Sequence, residues 1–211
     1  MADPRHGITR VVTHGTFELD GGSWEVDNNI WLVGDDSEVL VIDAAHDAKA
    51  IEDAVAGRHV VAVVCTHGHN DHITVAPQLA QDLDAPVLLN PADTMLWEMT
   101  HGGKTFRSLQ DGQVLEAGGI ELRAIATPGH SPGSTCLYAP QLGALFSGDT
   151  LFHGGPGATG RSFSDFPTIL ASIKDKLGVL PPETEVHTGH GDSTTIGAEL
   201  VNYDEWVARG H

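Results

Sequence analysis

Three imidazoles and a carboxylate fall within six consecutive residues, His67-Gly68-His69-Asn70-Asp71-His72, directly after an apolar run. That run, His59-Val60-Val61-Ala62-Val63-Val64-Cys65, is rich in β-branched residues and has no polar side chain after His59. This is the pattern of a strand buried on both faces. The small and polar residues from Thr66 to Asn70 cannot extend it. His67 and His69 are therefore expected on a loop at the strand's C-terminal end. Asp71 and His72 then open a helix carrying Ile73, Ala76, Leu79, Ala80 and Leu83 on one face. In open α/β sheets, ligands collect outside such strand ends. Neutral imidazoles and carboxylates are the donors that borderline divalent metals accept. As an ordinary surface loop the three imidazoles would repel one another when protonated, and as buried bases they would lack partners.

The arrangement recurs downstream, where apolar runs end in single projecting donors. Ile120-Glu121-Leu122-Arg123-Ala124-Ile125-Ala126 alternates like a half-buried strand and ends in Thr127-Pro128-Gly129-His130-Ser131-Pro132-Gly133. Proline and glycine on both sides leave only the His130 imidazole to project. Thr135-Cys136-Leu137-Tyr138 and Ala144-Leu145-Phe146-Ser147 form a hairpin whose second strand runs into Gly148-Asp149-Thr150. Glu185-Val186-His187-Thr188 runs into Gly189-His190-Gly191. Asp43 closes Glu38-Val39-Leu40-Val41-Ile42 in the same way. It reads equally as a turn or N-cap residue and as an acceptor that fixes the histidine loop.

The remaining punctuation is conventional. Asp20-Gly21-Gly22 marks a hairpin between Phe17-Glu18-Leu19 and Trp24-Glu25-Val26, and Asn29-Ile30-Trp31-Leu32-Val33-Gly34 reads as the next strand. Helices are expected from Asp47 to Val55, and after Asn90-Pro91 with Met95, Leu96 and Met99 on one face. Two more follow Phe166, Ile169, Leu170, Ile173 and Leu177, then Ile196, Leu200, Tyr203 and Val207 after a cap near Thr195. His101 has no companion donor and is expected in solvent. The glycine-rich stretch from Leu151 to Ser164 is long enough to be functional rather than a connector.

With 211 residues the chain fits one domain, expected to span 1–211 as two pseudo-symmetric halves meeting near 115. A formal net charge of −18 disfavours nucleic acid as a partner. No apolar run approaches the roughly 20 residues that span a bilayer, and Met1-Ala2-Asp3-Pro4-Arg5-His6 lacks a signal segment. Cys65 and Cys136 sit in apolar runs and read as small buried hydrophobes, so a cytoplasmic location is expected.

Taken in order, Thr66-His67-Gly68-His69-Asn70-Asp71-His72, Gly129-His130, Ser147-Gly148-Asp149 and Gly189-His190 resemble the metallo-β-lactamase superfamily. The resemblance covers nearly the whole chain and implies an α/β fold, an αββα four-layer sandwich. Within the superfamily, Thr127-Pro128-Gly129-His130-Ser131-Pro132-Gly133-Ser134, Ser147-Gly148-Asp149-Thr150-Leu151-Phe152 and Gly160-Arg161 resemble the glyoxalase II group.

That resemblance implies two divalent metal ions, zinc with iron or manganese as alternatives. His67, His69 and His130 hold one, Asp71, His72 and His190 the other, and Asp149 bridges them. It implies hydrolysis of a small-molecule thioester, such as a hydroxyacyl-glutathione, by a metal-bridging hydroxide. Asp71 is its candidate proton acceptor, and Phe152, His153 and Arg161 are candidate substrate contacts. Arg161 reads equally as a structural partner of Asp165. With 21 residues after His190, the chain matches a short single-domain form, which leaves the thiol open. The alternative is a mononuclear iron persulfide dioxygenase, using His67, His130 and Asp149.

Overall fold

In the computed structural model, which describes residues 7–210, the apolar runs pair into two six-stranded sheets. The N-terminal stretch inspected for a signal lies outside the described residues. The first sheet has the order β1-β2-β3-β4-β5-β6. Its strands are β1 (Ile8–Leu19), β2 (Gly22–Gly34), β3 (Glu38–Ile42), β4 (His59–Val64), β5 (Val87–Leu89) and β6 (Arg107–Ser108). β1 to β3 are antiparallel and β3 to β6 parallel.

Parallel neighbours require crossovers, and helices supply them. α1 (Ala48–Val55) joins β3 to β4, α2 (Asn70–Ile73) and α3 (Ala76–Asp82) join β4 to β5, and α4 (Thr94–His101) leads to β6. The second sheet runs β14-β13-β10-β9-β8-β7. It comprises β7 (Val114–Ala117), β8 (Ile120–Ala126), β9 (Thr135–Ala139), β10 (Ala144–Gly148), β13 (Glu185–Thr188) and β14 (Thr194–Thr195). A small ribbon, β11 (Leu151–Phe152) with β12 (Gly155–Pro156), precedes α5 (Phe166–Ser172). The chain closes with α6 (Ile196–Leu200) and α7 (Tyr203–Arg209).

Three apolar layers hold these elements as an αββα sandwich. Ile51, Leu79 and Trp97 pack on one face of the first sheet, while Leu40, Val64, Leu122 and Phe146 fill the space between the sheets. Ile169, Ile173 and Trp206 cover the outer face of the second sheet. β4 shows why its run is uninterrupted: Val63 faces the helices and Val64 faces the other sheet, each with no exposed surface. Each such valine contributes about 1.5–3 kcal/mol relative to exposure. Polar residues cap the helices as expected. Asp47 accepts from the Ala50 N–H, Asn90 from Ala92 and Thr195 from Ala198.

The structure corrects several local readings. The pieces around Trp24 and Ile30 are one strand, β2, which runs through Asp27-Asn28-Asn29 because these residues pair with His14, Thr13 and Val12 of β1. The helix after His72 is two short helices, with Pro77 in the first turn of α3. In α4 the buried residues are Leu96 and Trp97, whereas Met95 and Met99 face solvent. His101 is half-buried, not free: its Nε2 donates to the Ile73 carbonyl at 2.7 Å and its ring lies 4.5 Å from that of Trp97. The last helix breaks at Val201-Asn202, and Trp206, not Val207, enters the core. Among the described residues, no helix is long and apolar enough to cross a membrane.

Candidate metal centre

The strand ends of both sheets meet at one edge of the sandwich, and seven side chains converge there. His67 Nε2 lies 3.0 Å from His69 Nδ1, which lies 3.0 Å from His130 Nε2. Beside this group, His72 Nε2 is 3.2 Å from His190 Nε2, and Asp71 Oδ2 is 3.3 Å from His190 Nε2. Asp149 stands between the two groups. Its Oδ1 is 3.3 Å from His72 Nε2, and its Oδ2 is 3.5 Å from His130 Nε2 and 3.4 Å from His190 Nε2.

The far side of each ring decides what the near side can do. His130 Nδ1 faces the Ala158 carbonyl at 2.8 Å, His190 Nδ1 the Asp27 carbonyl at 2.7 Å, and His72 Nδ1 the Asp43 carboxylate at 2.8 Å. These partners only accept, so they hold a proton on Nδ1 and turn each Nε2 toward the centre, where it is a lone pair whenever the ring is neutral. Lone pairs facing one another at about 3 Å repel unless a cation lies among them. Four ligands around zinc at about 2.0–2.1 Å stand about 3.3 Å apart, close to these spacings. Buried Asp71 Oδ1 and Asp149 Oδ1 have no hydrogen-bond partner, as expected of oxygens reserved for a cation. The donor set fits divalent metal ions, and three subsets are close enough to hold one: His67/His69/His130, His67/His72/Asp149 and Asp71/His72/His190.

Electrostatics agree with the geometry. Burial pushes His67 well below its ordinary value and takes His69 down to about 3, so both are neutral donors. At His190 burial works in the same direction, but Asp149 and Asp71 outweigh it and push the imidazole up to about 10. The field that draws a proton there also draws a cation.

Backbone and outer contacts set this edge. Asp43 adopts a left-handed φ of 62°, and its carboxylate accepts from the Thr66 N–H at 2.8 Å and the Thr66 hydroxyl at 3.0 Å. With His72 on the same carboxylate, its role is that of the acceptor anticipated for the histidine loop. A Cβ on Gly189 would lie 2.3 Å from Asp149 Oδ1 and 2.7 Å from His72 Cε1, so only glycine leaves the donors room. Asn28 has no exposed surface; its amide donates to Asp71 Oδ2 at 3.1 Å, and its Oδ1 accepts from His46 Nε2 at 2.9 Å. Asn28 was not anticipated, although a polar Asp27-Asn28-Asn29 at the head of an apolar run was the available signal.

A cavity of about 200 Å³ opens over the donors, walled by Phe17, Trp24, Val26, Ala158 and Arg161. The Arg161 guanidinium sits 3.9 Å from the Trp24 ring centroid and 5.7 Å from that of Phe17. Asp165 instead caps α5 by accepting from the Thr168 N–H. Phe152 stands beside the donors, with its ring 6.2 Å from that of His190. His153 is exposed and does not line the cavity. Phe17 and Trp24, read from the sequence only as hairpin residues, also line the cavity.

A two-sheet sandwich with paired histidine and aspartate groups at one edge defines a class of metal-dependent enzymes. The chain belongs to the metallo-β-lactamase superfamily, whose family model matches residues 24–190. Members of this superfamily are generally metal-dependent hydrolases. The "Probable metallo-hydrolase YqgX" of Bacillus subtilis is 32% identical, over 82% of this chain and 88% of its own. The "Hydroxyacylglutathione hydrolase GloC" of Haemophilus influenzae is 29% identical, over 81% and 89%. Among solved structures, TTHA1623 "in a di-iron-bound form" is 32% identical with a TM-score of 0.74, covering 83% of this chain and 93% of that one.

Proposed function

We propose that this chain is a binuclear metallohydrolase of the glyoxalase II-like kind, acting on small thioesters such as hydroxyacyl-glutathione. The observation that carries the reading is Asp149, whose carboxylate faces both donor groups at once. On this assignment His67, His69 and His130 hold one divalent ion and Asp71, His72 and His190 hold the second. Asp149 is shared between them. Zinc suits the donors, and the di-iron form of a relative makes iron the alternative. Bound there, the cations supply Lewis acidity and make water acidic enough to act as a nucleophile near neutral pH.

The chain's own residues complete the chemistry. Asp71, whose Oδ2 accepts from the Asn28 amide, is the candidate to orient the attacking water and take its proton. The cavity encloses only the reacting end of a substrate, since typical ligand pockets are about 300–1,000 Å³. Arg161, steadied on Trp24, presents guanidinium N–H groups to an acidic group. The name of the relative GloC supports a thioester as the bond broken.

The test compares kcat/KM for lactoylglutathione with that for a truncated thioester of the same acyl group, alongside metal analysis. Two metals per chain and hydrolysis of both esters, with less than about a thousandfold preference, are expected. Hydrolysis of neither removes the thioesterase reading. One iron per chain with oxygen uptake on glutathione persulfide would establish the dioxygenase instead.

A further inference from the structure

One buried carboxylate near the candidate centre touches none of its donors. Asp93, 1% exposed, precedes α4. Its Oδ2 accepts from the Gly68 N–H at 2.7 Å and from the Ser131 hydroxyl at 2.7 Å. Its Oδ1 accepts from the Gly133 N–H at 2.5 Å. Gly68 lies between His67 and His69, while Ser131 and Gly133 follow His130. A single carboxylate thus grips both loops that bear the first donor group.

The approach is close on both sides. A Cβ on Gly68 would lie 3.0 Å from Asp93 Cβ, and one on Gly133 would lie 2.7 Å from Asp93 Cγ. The second donor group is steadied by other contacts, namely Asp43 on His72, Asn28 on Asp71 and the Asp27 carbonyl on His190. Burying a charge is costly, and well-packed apolar side chains often do as well for stability alone. What three charge-assisted hydrogen bonds add is registry between two segments distant in sequence.

We propose that Asp93 is a positioning residue that holds the His67–His69 loop and the His130 loop in register. It thereby sets the affinity of the first metal group independently of the second. The inference rests on the two-metal reading above. An amide at this position keeps the volume but accepts through one oxygen only. Its NH₂ would face either the Gly68 or the Gly133 N–H, donor against donor, and release one loop. The Ser131 hydroxyl can turn and accept, so it does not absorb the conflict.

The experiment is a zinc titration in chelator-buffered solution on the whole protein, with metal per chain counted and metal-free melting recorded. The parent, Asp93→Asn, Ser131→Ala, His190→Ala and the Asp93→Asn/His190→Ala pair are compared. The expected result for Asp93→Asn is one equivalent weakened about 10–100-fold and the other unchanged. The double variant should then hold neither equivalent at the parental zinc level. Ser131→Ala, which removes one donor and leaves the carboxylate, should weaken the same equivalent by less, with metal-free melting close to the parent's. Asp93→Asn holding both equivalents at parental affinity would overturn the assignment. So would both equivalents weakening together in step with lower metal-free stability. A parent holding a single equivalent would overturn the two-metal reading, and this assignment with it.

Discussion

Replacing Asp43 by asparagine isolates what its charge does from what its shape does. Asparagine tolerates the left-handed backbone at this position, so the turn after β3 survives. Its Oδ1 can keep the Thr66 N–H, but an NH₂ then replaces the oxygen that faces His72 Nδ1 and the Thr66 hydroxyl. In the parent that hydroxyl donates to Asp43 and lies 3.1 Å from His67 Nδ1, which it receives as a donor. The amide reverses the relay. His72 must accept at Nδ1 and carry its proton on Nε2, and the Thr66 hydroxyl is driven to donate to His67. Both rings then present N–H groups to the centre instead of lone pairs.

The expected loss is about 10–100-fold in metal affinity at each affected group, with a fold cost of only about 1–2 kcal/mol as charged hydrogen bonds become neutral ones. Asp43→Ala behaves differently. It strands the buried donors outright, costing about 3–5 kcal/mol, and adds about 1 kcal/mol for alanine at positive φ. Denaturant unfolding of the metal-free proteins gives the stability terms, and competition with a chromogenic chelator gives the affinities. Asp43→Asn binding metal as tightly as the parent would refute the tautomer argument. Asp43→Ala costing less than about 1 kcal/mol would refute the claim that the network is satisfied only by the carboxylate.

Three further outcomes follow from the same geometry. With metal removed, His190 titrates near 10 against an unfolded value near 6.5. A raised base stabilises fully below its unfolded pKa and loses that contribution as pH rises through the folded one. Metal-free melting temperature should therefore fall between about pH 7 and 10; a flat profile contradicts the field assigned to Asp149 and Asp71. Gly189→Ala should retain the fold by circular dichroism yet lose at least about a hundredfold in kcat/KM, because its methyl displaces Asp149 or His72. Asp149→Ala should lose more metal and activity than His72→Ala, since it strips an anion from both groups; the reverse order would break the bridging assignment.

Much of the site was readable because each donor group follows an apolar run, and the family resemblance of those motifs implies that the runs end at one edge. The double-sided burial of β4 was readable from its apolar run. The residues that were not readable act across long separations. Asp93 looks like any first-turn carboxylate until the Gly68 and Gly133 loops are brought to it. Asn28 looks like a turn residue until Asp71 arrives from 43 positions away. In α4 the inward face turned on one position, Trp97 against Met95, and an eight-residue helix is too short for its periodicity to settle that. His101 lacked a neighbouring donor, but its partner proved to be a backbone carbonyl, which no side-chain pattern reports.

The donors are divided between the two sheets: His67, His69, Asp71 and His72 follow the first, and His130, Asp149 and His190 the second. The same seam is stitched by backbone bonds from Asn29 to the Gly189 carbonyl and from Thr135 to the Thr66 carbonyl. Any excursion that parts the sheets must therefore tear up the donor set. Ion escape would then report on that breathing motion, at a rate set by how often the seam opens and how fast it recloses. Substitutions buried between the sheets, far from any donor, would then shorten metal residence time while leaving the closed centre unchanged.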